Sequence, residues 1–197
     1  MRDSEERVLN DETELIQAAT RGDRGAFEVL VRRYQDRLYT AVVHIVGCRS
    51  EAEDVVQDAF VQAYVKLDTF KHQSRFYTWL YRIAFNVSIS RRRRRRRVEV
   101  SWDESRELAG EEPVDSGESP MDPLEQAERR QLLEQAMGRL TEEHRSIIVL
   151  RHLEEFSYEE IAEILVISVG TVRSRLHRAR AALLGHLQQL MPDETVF

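Results

Sequence analysis

Apolar residues recur along this chain at the three- and four-residue spacing of amphipathic helices, and no stretch sustains the alternation of a strand. The punctuation between apolar stretches is that of helix ends. Ser50-Glu-Ala-Glu53 reads as a capping box opening a helix to about Leu67, with Ala52, Val56, Ala59, Phe60, Ala63 and Leu67 on its buried face. Ser157-Tyr-Glu-Glu160 is a second capping box, opening a short helix to Leu165. Asp122-Pro123 sets an N-cap before a proline at the first helical position, and Thr141 and Ser168 are N-caps of two further helices. The pattern predicts an all-α protein of two small helical domains, with four helices before a linker and four after it.

The linker is marked by composition. Pro113, Pro120 and Pro123 fall within eleven residues, with Gly110 and Gly117 nearby and few large apolar side chains to build a core. Residues 99–122 are therefore expected to be a flexible acidic tether between domains at 1–98 and 123–197. Val98, Val100 and Trp102 give a faint strand signal at its start, and are expected to form an extended segment that docks through Trp102.

Charge changes the picture only when it is divided. The 197 residues carry 29 Lys+Arg against 35 Asp+Glu, a net −6 that argues against a nucleic-acid partner. Yet residues 1–98 hold 19 basic and 14 acidic side chains, residues 99–128 hold Arg106 against 11 acids, and residues 129–197 are near neutral. The segregation reopens the question. No apolar run exceeds four residues, whereas a spanning helix needs about 20. Six acids in the first fourteen residues are the wrong charge for a secretory signal. Cys48 is the only cysteine, so neither a disulfide framework nor a thiolate cluster is expected. The expectation is a cytoplasmic protein with no membrane insertion, no cofactor and no metal.

The second domain carries the clearest chemistry. After the short helix and the break Val166-Ile167-Ser168, a long helix buries Val172, Leu176, Ala179 and Leu183 at about 100° per residue. Its opposite face holds Gly170, Ser174, His177, Arg178 and Ala181. From Ser168 to Ala181 there are four arginines and no acid. Small residues allow close approach to a major groove, arginine pairs bidentately with guanine, and flanking arginines neutralise phosphates. An ordinary solvated face would interleave acids. Ser174, His177 and Arg178 are best aimed at base edges, and Arg151, Thr171, Arg175 and Arg180 at phosphates. Arg173 suits either role.

The first domain is less decided. The outward stripe of the Ser50–Leu67 helix holds Glu51, Asp54, Asp58, Val61 and Val65. Exposed valines among carboxylates suggest a protein-binding face, unless a neighbouring helix covers them. Asp54 and Asp58 lack the His, Cys or Gly-rich neighbours that acid–base or metal chemistry would need. In Arg75–Ser90, Phe76, Trp79, Leu80, Ile83 and Val87 form the buried stripe, leaving Tyr77, Thr78, Tyr81, Arg82 and Phe85 on the other faces. Aromatics beside arginine can stack on unpaired bases, although for any single residue a core helix rich in aromatics is the better reading. Arg91–Arg97 is seven consecutive arginines covering about 700° of helix, so it has no buried face and must be solvated or bound to anions. Such runs bind phosphate backbones with strong salt dependence. The acidic linker beside it is expected to fold back and mask it.

These segments together resemble the extracytoplasmic-function (ECF) sigma factors of the sigma-70 family, bacterial initiation subunits of RNA polymerase, and within them the envelope-stress type. The resemblance covers about residues 12–97 and 123–190. It rests on Glu14-Leu-Ile-Gln-Ala, Gly22-Asp23 and Ala26-Phe27, on Asp54-Val-Val-Gln-Asp-Ala-Phe60, on Phe76-Tyr-Thr-Trp-Leu-Tyr-Arg-Ile-Ala-Phe-Asn86, and on Ser157-Tyr-Glu-Glu-Ile-Ala162 with Val169-Gly-Thr-Val-Arg-Ser-Arg-Leu-His-Arg-Ala-Arg180. It implies that Asp54, Gln57 and Asp58 grip the polymerase clamp helices, with the polymerase flap a further contact. It implies that Phe70, Lys71, His72, Gln73 and Ser74 form a loop receiving a flipped base of the minus-10 element, while Arg82 and Asn86 read the same element. Arg173, Ser174, His177 and Arg178 would read the minus-35 duplex, and an anti-sigma partner is implied as well. The implied function is promoter-specific initiation without chemistry by the chain itself. Three departures stand out. Lys71-His72-Gln73 replaces the family's usual glycine and acid, Val166 fills a turn position often held by glycine, and Thr141 replaces a usual proline. If the backbone at Val166 has positive φ, its β-branched side chain is strained.

Two other functions fit parts of the same sequence. A dimeric helix-turn-helix regulator would need a ligand pocket or dimer interface in residues 1–98. A recombinase or nuclease would need a nucleophile or metal-binding carboxylates beside Arg173–Arg180, where the sequence has none.

Overall fold

The computed structural model describes residues 2–102 and 124–191. Eight α-helices account for nearly all of them: α1 (Arg2–Thr20), α2 (Arg24–Val46), α3 (Arg49–Val65), α4 (Phe76–Trp102), α5 (Leu124–Gly138), α6 (Glu142–Ile148), α7 (Tyr158–Leu165) and α8 (Val169–Leu190). A 3₁₀ turn at Leu67–Thr69 follows α3, and a π-helical turn at Val149–Leu153 continues α6. There is no strand among the described residues. The expected four helices on each side of the linker are present. Residues 103–123, which hold most of the linker, lie outside the described residues, and with them the Asp122-Pro123 cap and the expected masking of the arginine run.

Contacts divide the chain into two compact units, one of residues 1–42 and 50–108, the other of 109–197 with Val43–Arg49. In the first unit α1 turns into α2 at Gly22, whose φ of 97° places it in the left-handed region that glycine enters without steric cost. Asp23 then caps α2, its Oδ1 accepting from Ala26 N at 3.2 Å. Asp11 and Glu12 of α1 hold Arg33 (2.6 Å) and the Tyr34 hydroxyl of α2. Burial, and then the nearby Glu12 carboxylate, raise the Tyr34 phenol above its ordinary range.

The core of this unit is aromatic. Tyr34 lies against Phe76 and Tyr77 with ring centroids 5.7 and 5.5 Å apart, and Phe70 meets Phe76 and Trp79 at 5.6 and 5.3 Å. Arg37 of α2 sits 4.2 Å above the Tyr77 ring. Each expected core position of α3 and α4 is buried. Two expectations are corrected and two open alternatives are decided. Tyr77, Thr78 and Tyr81 are buried, which agrees with the core-helix reading, because α4 is enclosed on more than one side. Val98–Trp102 continues α4 as helix and forms no extended segment. Helix α3 begins at Arg49, so Ser50 stands in its first turn and not at its cap. Arg91 takes the anion-bound alternative, pairing with two carboxylates of α3.

In the second unit α8 packs on α5, α6 and α7. Val172, Leu176 and Ala179 are buried as expected, whereas Leu183 is half-buried. Burying side chains such as Val172 and Leu176 contributes about 1.5–3 kcal/mol each. The caps form as the sequence predicts. Ser157 and Glu160 exchange bonds in a complete capping box, with Glu160 N to Ser157 Oγ at 3.2 Å and Ser157 N to Glu160 Oε2 at 2.9 Å. Thr141 accepts from His144 N and Ser168 from Thr171 N. Between α7 and α8 the chain turns at Val166, with φ 55° and ψ 50°. A β-branched residue therefore occupies the left-handed region, and the side chain is 78% exposed, so packing does not offset the strain.

Candidate functional site

Three surfaces hold the residues singled out by the sequence. The first is the outer face of α8, set by the short capped helix α7 and the turn at Val166. Arg173, Ser174, His177, Arg178 and Arg180 are exposed along it, while Thr171 and Arg175 are half-buried at its edge. Ser174 donates to the Thr171 carbonyl at 3.1 Å and Arg178 Nε to the Ser174 carbonyl at 3.3 Å, which lays both side chains along the helix surface. Gly170 faces outward too. A Cβ added there would meet only Ser168 Oγ at 3.8 Å, so the fold itself tolerates a side chain at this position. What glycine leaves open is the space outside.

The expected phosphate contacts are braced rather than loose. Arg151, in the π-helical turn, donates to the Phe156 carbonyl at 2.9 Å and stacks over Tyr158, with Arg173 on the same ring. Arg175 lies 3.6 Å from Glu143 of α6. Arg180 Nε donates to His152 Nε2 at 3.2 Å. That bond needs a neutral imidazole, and burial, with the charges of Arg180 and Arg151, lowers the His152 pKa. Tyr158 and His152 were not anticipated from the sequence. Their role becomes visible only when α7 and the π-helical turn are packed beside α8.

The second surface is the loop between the 3₁₀ turn and α4, continued by the open side of that helix. Lys71, His72 and Gln73 are exposed and Ser74 is half-buried. Phe70 is not on the loop surface: it is 8% exposed and forms the floor, with His72 tilted against it at 4.7 Å. His72 has φ 54°, a left-handed backbone within the triplet that replaces the usual glycine and acid of the resembled family. Because Tyr77, Thr78 and Tyr81 are buried, α4 keeps one narrow open stripe, on which Arg82 is half-buried and Asn86 exposed.

The third surface is the outer side of α3. Val61 and Val65 are 60% and 72% exposed, so no neighbouring helix covers them. An open groove of about 570 Å³ runs beside them between α2 and α3, lined by Gln35, Asp36, Tyr39, Glu53, Gln57 and Val61 among others. Gln57 therefore faces this groove. Asp54 and Asp58 are drawn elsewhere: Arg91 donates through Nε and Nη2 to Asp58 Oδ2 at 2.9 and 2.6 Å, and through Nη1 to Asp54 Oδ2 at 2.8 Å. The hydrogen bond to Asp58, the largest influence, raises the Arg91 pKa. Arg95 lies 3.7 Å from Glu51 on the same side. Among the described residues no group of three or more His, Cys, Asp or Glu could hold a metal ion, and no helix is long and apolar enough to cross a membrane.

Two family models match separate parts of the chain. The model of sigma-70 region 2 matches residues 30–98, and that of sigma-70 region 4 matches residues 130–183. The RNA polymerase sigma-H factor of Pseudomonas aeruginosa is 38% identical over 184 residues, covering 91% of this chain and 95% of that protein. The ECF RNA polymerase sigma factor SigW of Bacillus subtilis is 38% identical over 180 residues, covering 89% and 96%. Among solved structures, the sigma factor RpoE in complex with the anti-sigma factor NepR from Bartonella quintana has a TM-score of 0.64 at 28% identity, covering 86% of this chain and 98% of that one.

Proposed function

The chain belongs to the sigma-70 family, among the ECF sigma factors, and we propose that its three surfaces divide the work of promoter-specific transcription initiation. The single observation that carries this reading is α8: an exposed face of Arg173, Ser174, His177 and Arg178 with open space at Gly170, presented by a capped helix-turn-helix. In this reading α8 enters the major groove of the minus-35 element, with base edges read by those four side chains. Arg151, Thr171, Arg175 and Arg180 neutralise phosphates at its edge. Their internal braces fix the geometry before DNA arrives, so less side-chain entropy is lost on binding.

Residues 1–98 act on the melted minus-10 strand and on core polymerase, residues 99–122 are the tether, and residues 123–197 read the duplex. The loop Lys71–Ser74, resting on Phe70, receives an extruded base, and Arg82 and Asn86 meet the strand beside it. Binding energy drives the opening, and the chain catalyses no reaction. Gln57, with Asp54 and Asp58, meets the polymerase clamp helices. The uncovered valines Val61 and Val65 supply apolar area at that interface. An anti-sigma protein is a second partner, supported by the likeness to a sigma factor solved with one.

The test is reconstitution with core RNA polymerase. The proposal expects transcripts starting from discrete promoters, and little duplex binding by the chain alone. A mixture without promoter-specific transcripts, from a protein that footprints a palindrome unaided, would point to a dimeric regulator instead.

A further inference from the structure

The seven arginines from Arg91 to Arg97 form one block in the sequence, but α4 continues through them as helix, and a helix sorts them by face. At about 100° per residue, taking Arg82 as the reference, Asn86 falls at about 40°, Ile89 at about −20° and Arg93 at about 20°. Arg91 falls at about 180° and Arg95 at about 220°, on the opposite side. The contacts agree with this division. Arg91 and Arg95 reach Asp54, Asp58 and Glu51 of α3. Ile89, Arg93 and Arg94 are exposed.

We propose that Arg93 extends the DNA-facing stripe of α4 and contacts one backbone phosphate of the promoter duplex beyond the melted minus-10 segment, while Arg91 holds the helix to α3. The inference rests on the reading that Arg82 and Asn86 face promoter DNA. Its occupant follows from charge and continuity. A guanidinium in line with two nucleic-acid-facing side chains meets the next stretch of the same polyanion. Eleven residues at 1.5 Å separate Arg82 from Arg93 by about 16 Å, or about five base pairs of duplex. The loop Lys71–Ser74 stands at the other end of α4, so this contact lies on the side where the duplex is still closed. Arg94 falls at about 120° from Arg82, off the stripe. The block is thus three elements in register, and its composition alone does not define its role.

The experiment measures binding of reconstituted holoenzyme to fork-junction promoter DNA across a potassium chloride series, for Arg93→Ala and Arg94→Ala. Each phosphate contact contributes about 0.9 to the slope of log affinity against log salt. Arg93→Ala is expected to lower the slope by about that amount, and Arg94→Ala to lower it distinctly less. On a template whose upstream duplex ends within about three base pairs of the melted segment, short of the contacted phosphate, the Arg93→Ala effect should disappear. Equal slopes for Arg93→Ala and unaltered protein would overturn the proposal. So would equal losses for the two variants, which would mark a basic tail without register, or a loss that persists on the short template. Arg82→Ala and Asn86→Ala in the same assay separate the two levels. If neither impairs fork-junction binding, the underlying reading of the α4 face fails. If both impair it while Arg93→Ala leaves the slope intact, only the extension fails.

Discussion

Helices α4 and α8 are both assigned to DNA and both rich in arginine, yet they expose their chemistry in different ways. Helix α8 buries one stripe, Val172, Leu176 and Ala179, and leaves the remaining face open, with arginines dispersed among Gly170, Ser174 and His177. Helix α4 is buried around most of its first four turns, including Tyr77, Thr78 and Tyr81, and keeps a single narrow stripe through Arg82 and Asn86. The first geometry suits insertion into an intact groove, where a broad face must fit between two backbones. The second suits a surface against which a strand is laid and a base is taken out. On the proposed function burial does different work in the two helices: it would orient a reader in α8 and build a platform in α4.

The largest effect that tests this contrast is on the core under α8. Leu176 is 2% exposed, and Leu176→Ala should lower the stability of the second unit by about 2–5 kcal/mol, read by thermal or denaturant unfolding of the full chain. A cost below about 1 kcal/mol would mean that the reader face is not oriented by this stripe. Next comes the face itself. Arg178→Ala should weaken holoenzyme binding by about 1–3 kcal/mol, with the loss concentrated at one base pair when the minus-35 element is varied. A uniform loss across all sequences would reassign Arg178 to a phosphate.

How far the sequence disclosed this arrangement depends on whether the cause is local. The Ser157 capping box, the N-caps Thr141 and Ser168 and the buried residues Val172, Leu176 and Ala179 are interactions within three or four residues, and they stand where the sequence predicts them, whereas Ser50 falls inside α3. The strain at Val166 was legible only through the resemblance, which marks a turn position often held by glycine, and the positive φ there meets the stated condition. What the sequence did not disclose is long-range. Tyr77 and Tyr81 look amphipathic on a wheel, and only the approach of Tyr34 and Arg37 from α2 shows that the Tyr77 side is enclosed. Arg91 finds its carboxylates 33 and 37 positions away, which no periodicity within α4 encodes. The π-helical turn that places Arg151 and His152 has no evident sequence signal.

The Arg91 clasp marks the sharpest difference between the helices, since α8 has no comparable double pairing among the described residues. Arg91 is 36% exposed, so solvent screening keeps its contribution modest. Arg91→Ala should cost about 1 kcal/mol of stability, and Asp58→Asn combined with it should add little beyond the single change, in a double-mutant cycle. Full additivity would show that the pair contributes nothing. A change of opposite sign is expected between α7 and α8. Left-handed backbone costs a β-branched residue about 1–2 kcal/mol, and glycine loses about 0.5–1 kcal/mol of that gain through its freer unfolded chain. Val166→Gly should therefore stabilise the second unit by about 0.5–1 kcal/mol, with α8 still reading the same element.

The smallest effect concerns the brace at the end of the α8 face. Because the fold lowers the His152 pKa, the folded chain binds a proton there less readily than the unfolded chain does. The unfolded state thus holds more protons just below the ordinary histidine value of about 6.5, and stability must rise with pH through that window, then level off above it. Protonation would also remove the Nε2 acceptor that Arg180 uses. Melting curves between about pH 5 and pH 7.5 should show this rise, and His152→Gln, which keeps a neutral acceptor without a titrating ring, should reduce it. If the variant keeps the full pH dependence, the slope comes from other groups. Arg180 would then be held by its own helix, as Arg178 is through the Ser174 carbonyl.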